Sequence, residues 1–250
     1  MKLHVLGCSS IYPNGGEATS GYILETAAGK LLLECGHDVP AKLAGRHSLG
    51  HLNAALVSHI HPDHFYGLFT LSNQLTAAGI RRFPLYLPPG GLDVFNEFAR
   101  KMGFEFDSLR DCFAASEYDP TSPPAVKGLR IQMKQTKHPV KTFAMRFVEE
   151  VKEPEFVFTG DTAWFDGLVE FCRGASLLLT EATLYPPPES SERTHLTPHE
   201  AGRLIREAGV ARALLTHYNA RHAAAVLDAA RAASRHPFVS LAEVHGEYEV

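Results

Sequence analysis

Three imidazoles and one carboxylate fall within six residues near position 60, in the sequence Ser-His-Ile-His-Pro-Asp-His. Residues two apart in an extended segment point to the same side, so His59 and His61 can bind one metal ion together. The proline that follows ends the extended stretch. Asp63 and His64 then point in another direction, toward a second ion beside the first. Mixed nitrogen and oxygen ligands of this kind fit zinc, manganese or iron.

A site for two ions needs more ligands than this segment supplies. His138, Asp161 and His217 are three further candidates, and each follows closely on a predicted strand. Strand ends along one edge of a sheet are where loops assemble binding sites. Each of the three alone could equally belong to a turn or a strand end. The segment upstream favours a ligand role for all of them.

Histidine is frequent in this chain, with 14 in 250 residues, but most of these rings need no metal. An isolated histidine is interpreted as a surface or core residue, which applies to eight of them: His4, His37, His47, His51, His199, His222, His236 and His245. A loop of idle surface histidines is the corresponding alternative for the first segment. The density of ligand types in that segment makes this alternative the weaker one.

Composition is typical of a soluble globular protein. Apolar residues make up 45% and charged residues 21% of the chain, which argues against disorder. The formal net charge of −4 gives no electrostatic case for a general nucleic-acid or membrane-surface binder, although it does not exclude a local basic patch. No linker or composition break divides the sequence, so we expect one domain over residues 1–250.

Cysteine usage and the first residues favour a cytoplasmic location. Cys8, Cys35, Cys112 and Cys172 are far apart and form no Cys-x-x-Cys pair, which indicates neither a disulfide framework nor a cysteine zinc site. The N-terminus lacks the apolar core of a signal peptide, and no run approaches the roughly 18 apolar residues of a membrane span. We therefore expect a reduced, cytoplasmic protein with no membrane partner.

Apolar runs and helical periods predict the elements that position the candidate ligands. Strands are expected at Leu3–Leu6, Tyr22–Glu25, Lys30–Glu34, Ala54–Ser58, Phe83–Leu87, Leu129–Lys137, Thr142–Val148, Glu155–Thr159, Leu177–Thr180, Ala213–Thr216 and Phe238–Leu241. Helices are expected after Pro62 and at Leu92–Arg100, Thr197–Ala208 and Ala220–Ser234. Thr197 is expected to cap its helix, with Glu200 three residues later. Strands with helices between them predict an α/β layered sandwich.

Taken in order, these residues resemble the metallo-β-lactamase superfamily over nearly the whole chain. The resemblance implies a four-layer αββα sandwich, with the site at one rim of the paired sheets. It assigns one ion to His59, His61 and His138. It assigns the other ion to Asp63, His64 and His217, with Asp161 as the bridging ligand.

Within that superfamily, three segments resemble the ribonuclease Z-like branch, which also includes small phosphodiesterases. The segments are Glu181-Ala-Thr, His195-Leu-Thr and Leu-Thr-His217. The resemblance implies that His195 lies near the scissile phosphate and that Glu181 orients its ring. The expected catalytic set is His195, Glu181 and Asp63, the last of which also counts as a metal ligand.

Two features depart from the family pattern. Glu34 stands where the family usually has an aspartate, and this keeps the charge on a longer side chain. In addition, only 22 residues separate His138 from Asp161, and predicted strands fill most of them. Little room remains there for the long tRNA-binding arm of ribonuclease Z, so pre-tRNA is disfavoured as a substrate.

The leading functional prediction is a binuclear metal-dependent hydrolase, and specifically a phosphodiesterase. Its cofactors are two divalent metal ions, with zinc favoured and manganese or iron tolerated. The expected nucleophile is a hydroxide that bridges the ions, and His195 would protonate or stabilise the leaving alkoxide. Expected substrates are small or medium phosphodiesters such as cyclic nucleotides or short RNA. The resemblance also suggests a homodimer, through the helical region Phe65–Leu75, although packing in the core is the favoured interpretation of most apolar residues there.

Two other classes of function remain open from the sequence. The first is another hydrolase of the same fold, such as a thioesterase, a lactonase or a β-lactamase. A poor alkoxide leaving group needs a proton donor, and the pairing of Glu181 with His195 favours the phosphodiesterase over these. The second is a non-catalytic metal-binding module, which the large ligand set disfavours because structural zinc sites are normally closed around one ion.

Overall fold

The computed structural model shows two β-sheets flanked by helices and describes residues 1–12, 17–104, 106–149, 155–190 and 192–250. The strands are β1 (Lys2–Gly7), β2 (Gly21–Thr26), β3 (Gly29–Leu33), β4 (Leu52–Leu56), β5 (Phe83–Leu87), β6 (Phe113–Glu117), β7 (Leu129–Gln135), β8 (Phe143–Glu149), β9 (Glu155–Phe158), β10 (Leu177–Glu181), β11 (Ala213–Thr216), β12 (Val239–Leu241) and β13 (Glu247–Glu249). The helices are α1 (Val39–Ala44), α2 (Pro62–Phe65), α3 (Gly67–Ala77), α4 (Gly91–Lys101), α5 (Phe106–Cys112), α6 (Leu168–Cys172), α7 (Pro198–Ala208) and α8 (Ala223–Ser234). Short 3-10 turns cover Leu49–His51 and Ala220–His222.

The first sheet combines β1 to β6 with the C-terminal β13, and the second contains β7 to β12. The first sheet has the strand order β13-β1-β2-β3-β4-β5-β6, and the second has the order β12-β11-β10-β9-β8-β7. In the first sheet, β3, β4, β5 and β6 pair in parallel. In the second, β9, β10, β11 and β12 do the same. Parallel strands place their carboxyl ends along one edge, so loops that follow them meet at one rim.

The apolar pattern of the strands explains how the layers stack. Leu24 of β2 and Phe147 of β8 belong to one buried cluster, which contains residues of both sheets. The neighbouring Ile23 points to the opposite face because side chains alternate along a strand, and it packs in a second cluster with Leu71 of α3. Leu204 of α7 is buried with the second sheet. Helices therefore cover both outer faces, and the expected αββα arrangement is confirmed.

Two local features of the fold are well defined, and the second, the cap of α7, confirms an expectation from the sequence. Strands β2 and β3 form an antiparallel pair whose register ends with Thr26 opposite Gly29. At the start of α7, the Thr197 side chain accepts a hydrogen bond from the Glu200 backbone, and the Glu200 carboxylate accepts one from the Thr197 backbone. This reciprocal cap satisfies donors that a helix terminus would otherwise leave free. It also fixes where the chain enters α7, two residues after His195.

Strand β3 ends one residue earlier than the sequence predicts. Glu34 was expected inside the strand, but its φ of 62° lies in the left-handed region. Few residues other than glycine adopt this conformation, and such outliers cluster at functional sites. The turn directs the Glu34 side chain into the protein, where its relative exposure is 1%.

The apolar residues between Phe65 and Leu75 belong to the core. Phe65, Leu68, Phe69, Leu71 and Leu75 are all buried within the chain, where they form part of the cluster between the first sheet and its helices. Core packing therefore accounts for this stripe, and it offers no exposed apolar surface for a partner. The homodimer stays a prediction, which light scattering on the purified protein can check.

Two further findings concern an arm and a membrane-spanning helix, within the residues that the structure describes. Of the 22 residues between His138 and Asp161, 11 belong to the antiparallel strands β8 and β9, while residues 150–154 lie outside the described part. The described portion of this interval therefore forms sheet and no arm. Among the residues that the structure describes, no helix is long and apolar enough to cross a membrane.

Candidate metal centre

The predicted ligands come together at the rim where several strands of both sheets end. The segment from His59 to His64 follows β4 and enters α2, while His138 lies in the short loop between β7 and β8. Asp161 follows β9 and His217 follows β11. His217 has a φ of 57°, a left-handed conformation that histidine tolerates better than most residues. Four loops from distant parts of the sequence therefore build one site.

One group of possible ligands consists of His59, His61, His138 and Asp161, each offering an atom within 4.8 Å of the others. His138 Nε2 lies 3.0 Å from His61 Nδ1. His59 Nε2 lies 3.5 Å from Asp161 Oδ2. Three imidazole nitrogens and one carboxylate oxygen around a common point form a donor set that suits zinc.

A second group consists of Asp63, His64 and His217. His217 Nε2 lies 2.9 Å from Asp63 Oδ2 and 3.4 Å from His64 Nε2. Asp161 adjoins this group as well, since its Oδ2 lies 3.4 Å from both His64 Nε2 and His217 Nε2. The same Asp161 oxygen therefore faces both groups, as a bridging ligand must.

The ionisation of these side chains fits a cation site. Burial lowers the pKa of His59 well below its usual value, and neighbouring imidazoles add to this. Burial raises the pKa of Asp63, but His64 and His217 outweigh it and bring the pKa to about 2. Metal ligation needs neutral imidazole and ionised carboxylate. In addition, the fully buried His59 Nε2 has no hydrogen-bond partner among the described residues, so this polar atom lacks a partner that an ion would provide.

The surroundings of His64 attract positive charge. Burial lowers the pKa of this imidazole, but Asp161 and Asp63 outweigh burial and hold the pKa well above 6.5. A proton on His64 would therefore compete with a metal ion for this ring, and metal binding would have to displace it.

Three groups that sequence reasoning missed orient the ligand rings through their second nitrogen. Ser58 Oγ lies 3.0 Å from His59 Nδ1, and Thr183 Oγ1 lies 2.8 Å from His217 Nδ1. The carbonyl of Thr194 lies 2.9 Å from His138 Nδ1. Such contacts fix which nitrogen faces the metal. Thr183 stands in the Glu-Ala-Thr segment but received no role, and a backbone carbonyl such as that of Thr194 leaves no signal in a sequence.

The structure also brings His195 and Glu181 together beside the ligand groups. His195 Nδ1 lies 3.0 and 3.1 Å from the two carboxylate oxygens of Glu181. It lies 3.9 Å from Asp161 Oδ2. Burial lowers the pKa of His195, but Glu181 outweighs it and raises the pKa to about 9. With Nδ1 facing Glu181, the other ring nitrogen is the one left to meet a substrate.

Glu34 approaches both ligand groups, one beside His59 and the other at the ring of His64. Its Oε1 accepts a hydrogen bond of 2.9 Å from the backbone of Ser58, the residue before His59. Its Oε2 lies 3.6 Å from His64 Nδ1. Glu34 Oε2 and His64 Nδ1 are both buried and lack a hydrogen-bond partner within the described residues. An ionised Glu34 that accepts the Nδ1 proton would leave Nε2 of His64 free to face an ion.

We expect Glu34→Gln to weaken metal binding by roughly 10- to 100-fold, the usual cost of losing a contact to a metal ligand. Glutamate offers two acceptors, one for Ser58 and one for His64, whereas glutamine offers one acceptor and one donor. The donor would face Nδ1 of His64 and favour the wrong tautomer. Competition with a chelator of known zinc affinity measures the change. Equal affinities in the variant and the wild type would contradict the assigned role.

Comparison with known proteins identifies relatives along most of the chain. Residues 30–218 match the sequence model of the beta-lactamase superfamily domain. The probable metallo-hydrolase YhfI of Bacillus subtilis is 30% identical over 222 residues, which cover 87% of this chain and 86% of that protein. The crystal structure of YhfI, a metallo-beta-lactamase fold protein, superposes with a TM-score of 0.86 at 27% identity and covers 99% of this chain and 98% of its own.

The chain is also similar to proteins named ribonuclease Z. That of Methanothermobacter thermautotrophicus is 27% identical over 282 residues, which cover 92% of this chain and 91% of that protein. The crystal structure of the short form of human tRNase Z has a TM-score of 0.78 at 21% identity and covers 100% of this chain and 99% of its own. At 21% identity, this comparison with human tRNase Z shows a similar fold and nothing more.

Proposed function

The chain belongs to the beta-lactamase superfamily, and from this membership we propose that it is a binuclear metal-dependent phosphodiesterase. One observation carries the step from hydrolase to phosphodiesterase. His195, paired with Glu181 at 3.0 Å, lies beside two ligand groups, and one oxygen of Asp161 approaches both of them. The leaving group of a phosphodiester is a poorly stabilised alkoxide, and a positioned imidazole can supply the proton that it needs.

The residues have distinct roles in this proposal. His59, His61 and His138 would hold one ion, while Asp63, His64 and His217 would hold the other and Asp161 would contact both. When bound, the two ions supply Lewis acidity, which lowers the pKa of water and offsets negative charge on the phosphate. Zinc suits these ligands best, and manganese or iron can replace it.

Proton transfer to the leaving oxygen is the step that we assign to His195 and Glu181. Glu181 keeps the proton of His195 on Nδ1, and it is itself held by the backbone of Thr162 and the hydroxyl of Thr183. A protonated His195 then donates from Nε2 to the oxygen that leaves phosphorus. Because Glu181 raises the pKa of His195 to about 9, the ring carries this proton at neutral pH.

The alternative classes fit the same observations less well. Thioester hydrolysis expels a thiolate, which departs with less help than an alkoxide, so a buried Glu181–His195 pair has less to contribute there. A structural metal module needs one closed set of ligands, whereas here Asp161 lies within reach of both ligand groups. Substrates of small or medium size, including cyclic nucleotides and short RNA, stay within the proposal.

The compartment and the domain organisation are also proposals. All four cysteines are buried free thiols, which supports a reducing environment and hence the cytoplasm. One cluster of buried residues joins both sheets, which supports one hydrolase domain over residues 1–250.

We expect purified protein to hydrolyse bis(p-nitrophenyl) phosphate, to lose this activity when stripped of metal, and to regain it with Zn²⁺ or Mn²⁺. Release of p-nitrophenolate measures turnover, and elemental analysis of the same samples gives metal content. Absence of turnover despite two bound ions per chain would reject the phosphodiesterase and favour thioester or lactone hydrolysis.

A further inference from the structure

Positive charge is segregated in one part of this acidic chain. Between Asp119 and Glu149 the sequence contains no acidic residue, although it contains six of the 24 cations: Lys127, Arg130, Lys134, Lys137, Lys141 and Arg146. The whole chain nevertheless has a formal charge of −4. This interval also contains the candidate metal ligand His138, so the positive charge lies next to the proposed site.

The fold places these cations along one edge of the second sheet. Strand β7 is the edge strand, and its Arg130, Gln132 and Lys134 are exposed while Leu129 and Ile131 face the core. Because side chains alternate along a strand, Arg130 and Lys134 share the outer face, about 13 Å apart. Beyond β7, the loop that carries His138 adds exposed Lys137 and Lys141.

Five of these six cations have no acidic partner in the described residues. Arg146 pairs with Glu155, but no described carboxylate forms an ion pair with the other five: Lys127, Arg130, Lys134, Lys137 and Lys141. We call these five residues the β7 basic strip. Unpaired cations along a line create a positive potential that attracts an extended anion.

An open groove lies along part of the β7 basic strip. Arg130, Gln132 and Lys134 line it together with Arg146 from β8 and Gly167 from the start of α6, and its volume is about 580 Å³. Its acidic residues are already engaged, Glu155 with Arg146 and Glu170 with Arg173. The groove therefore presents net positive charge to a ligand.

Polar lining makes a nucleic acid the better occupant than a membrane. The large apolar side chains that are exposed in the described residues are Ile11, Tyr12, Met102 and Phe238, and none belongs to the strip or its groove. A membrane-binding surface usually combines basic residues with apolar ones that enter the lipid. A single-stranded nucleic acid instead needs a basic groove that follows its backbone.

We infer that the β7 basic strip binds the sugar–phosphate backbone of a single-stranded oligonucleotide, and directs one end of it toward the metal centre. The strip runs along β7 into the loop of His138, so phosphates bound by Arg130 and Lys134 would precede the one at the ligand groups. The choice of ligand rests on the proposed function. The strip itself rests on the charge distribution and the groove.

The test compares oligonucleotide binding by the metal-loaded wild type and by a variant with Arg130→Gln and Lys134→Gln. The probe is a fluorescein-labelled single-stranded RNA of roughly 12 nucleotides, followed by anisotropy between 50 and 200 mM salt. Each phosphate contact on a single strand contributes about 0.7 to the salt slope. We therefore expect the slope to fall by about 1.4 and the affinity to fall roughly 25-fold at 0.1 M salt.

The matched control removes the same charge elsewhere, with Arg100→Gln in α4 and Arg235→Gln after α8. Both residues are exposed, and α8 contacts β12, the edge of the sheet opposite β7. The control should bind RNA as the wild type does. The inference is overturned by equal affinity in wild type and strip variant, by an equal loss in the control, or by RNA binding too weak to saturate at 50 mM salt.

Two parallel measurements separate this inference from the proposed function. Hydrolysis of bis(p-nitrophenyl) phosphate reports on the metal centre alone, so its absence with strip-dependent RNA binding would reject the activity and keep the strip. An RNA analogue with uncharged methylphosphonate linkages should not bind. Strip-dependent binding to phosphatidylserine vesicles in place of RNA would identify a membrane as the occupant and overturn the inference.

Discussion

Asp161→Ala is expected to reduce bound metal from two ions per chain to about one, and to remove nearly all hydrolysis. One oxygen of Asp161 lies 3.4–3.5 Å from ring nitrogens of His59, His64 and His217, so its loss affects both ligand groups. Lewis-acid stabilisation by a metal is worth several kcal/mol. At about 1.4 kcal/mol for each tenfold in rate, kcat should fall by roughly 10³-fold or more.

The measurement is elemental analysis of the purified variant, together with turnover of bis(p-nitrophenyl) phosphate. Asp166→Ala is the matched control because Asp166 is an exposed acid in the same loop, and it should keep both ions and the wild-type rate. Two ions per chain in Asp161→Ala would refute the bridging role. Circular dichroism of both variants checks that the fold persists without the buried carboxylate.

The candidate ligand set could be proposed from the sequence because metal chemistry restricts residue type and spacing. The pairing of His59 with His61 follows from strand alternation, and the change of direction at Pro62 follows from the restricted backbone of proline. The structure brings those residues together with His138, Asp161 and His217. Most of the strands were also predictable from their continuous or alternating apolar runs, although no strand was predicted over Phe113–Glu117, which forms β6.

The supporting contacts were beyond sequence reasoning because they depend on tertiary approach. The contact of Thr183 with the ring of His217 joins residues 34 positions apart. The carbonyl of Thr194 lies next to His138 across 56 positions, and every residue carries such a carbonyl. The left-handed φ of Glu34 was likewise unpredictable, because glutamate has no special tendency toward that conformation.

The distribution of charge is another feature that depends on the fold. A net charge of −4 gave no reason to expect an anionic partner, although it left room for a local basic patch. Only the fold shows that Arg130 and Lys134 share an exposed face while acids such as Glu155 and Glu170 are paired. The net charge of the whole chain therefore says little about the electrostatic potential near the candidate site.

His195→Ala is expected to lower kcat for a dinucleotide by roughly 10²- to 10⁴-fold, the usual contribution of a general acid, while both ions stay bound. The effect should depend on the leaving group. A ribose alkoxide needs a proton as it departs, whereas p-nitrophenolate is a stable anion that departs without one. Turnover of bis(p-nitrophenyl) phosphate should therefore fall much less than turnover of the dinucleotide.

This dependence on the leaving group separates proton donation from a structural role. If His195 merely shaped the entry to α7, its loss would reduce the rates with both substrates by a similar factor. His199→Ala is the matched control, since His199 is an exposed histidine four residues later in the first turn of α7, and it should leave both rates unchanged. An unaltered dinucleotide rate in His195→Ala, with two ions bound, would show that another group protonates the leaving oxygen. Glu181 would then lose its proposed role in proton donation, and only its contact with Thr183, which meets the His217 ring, would still connect it to the site.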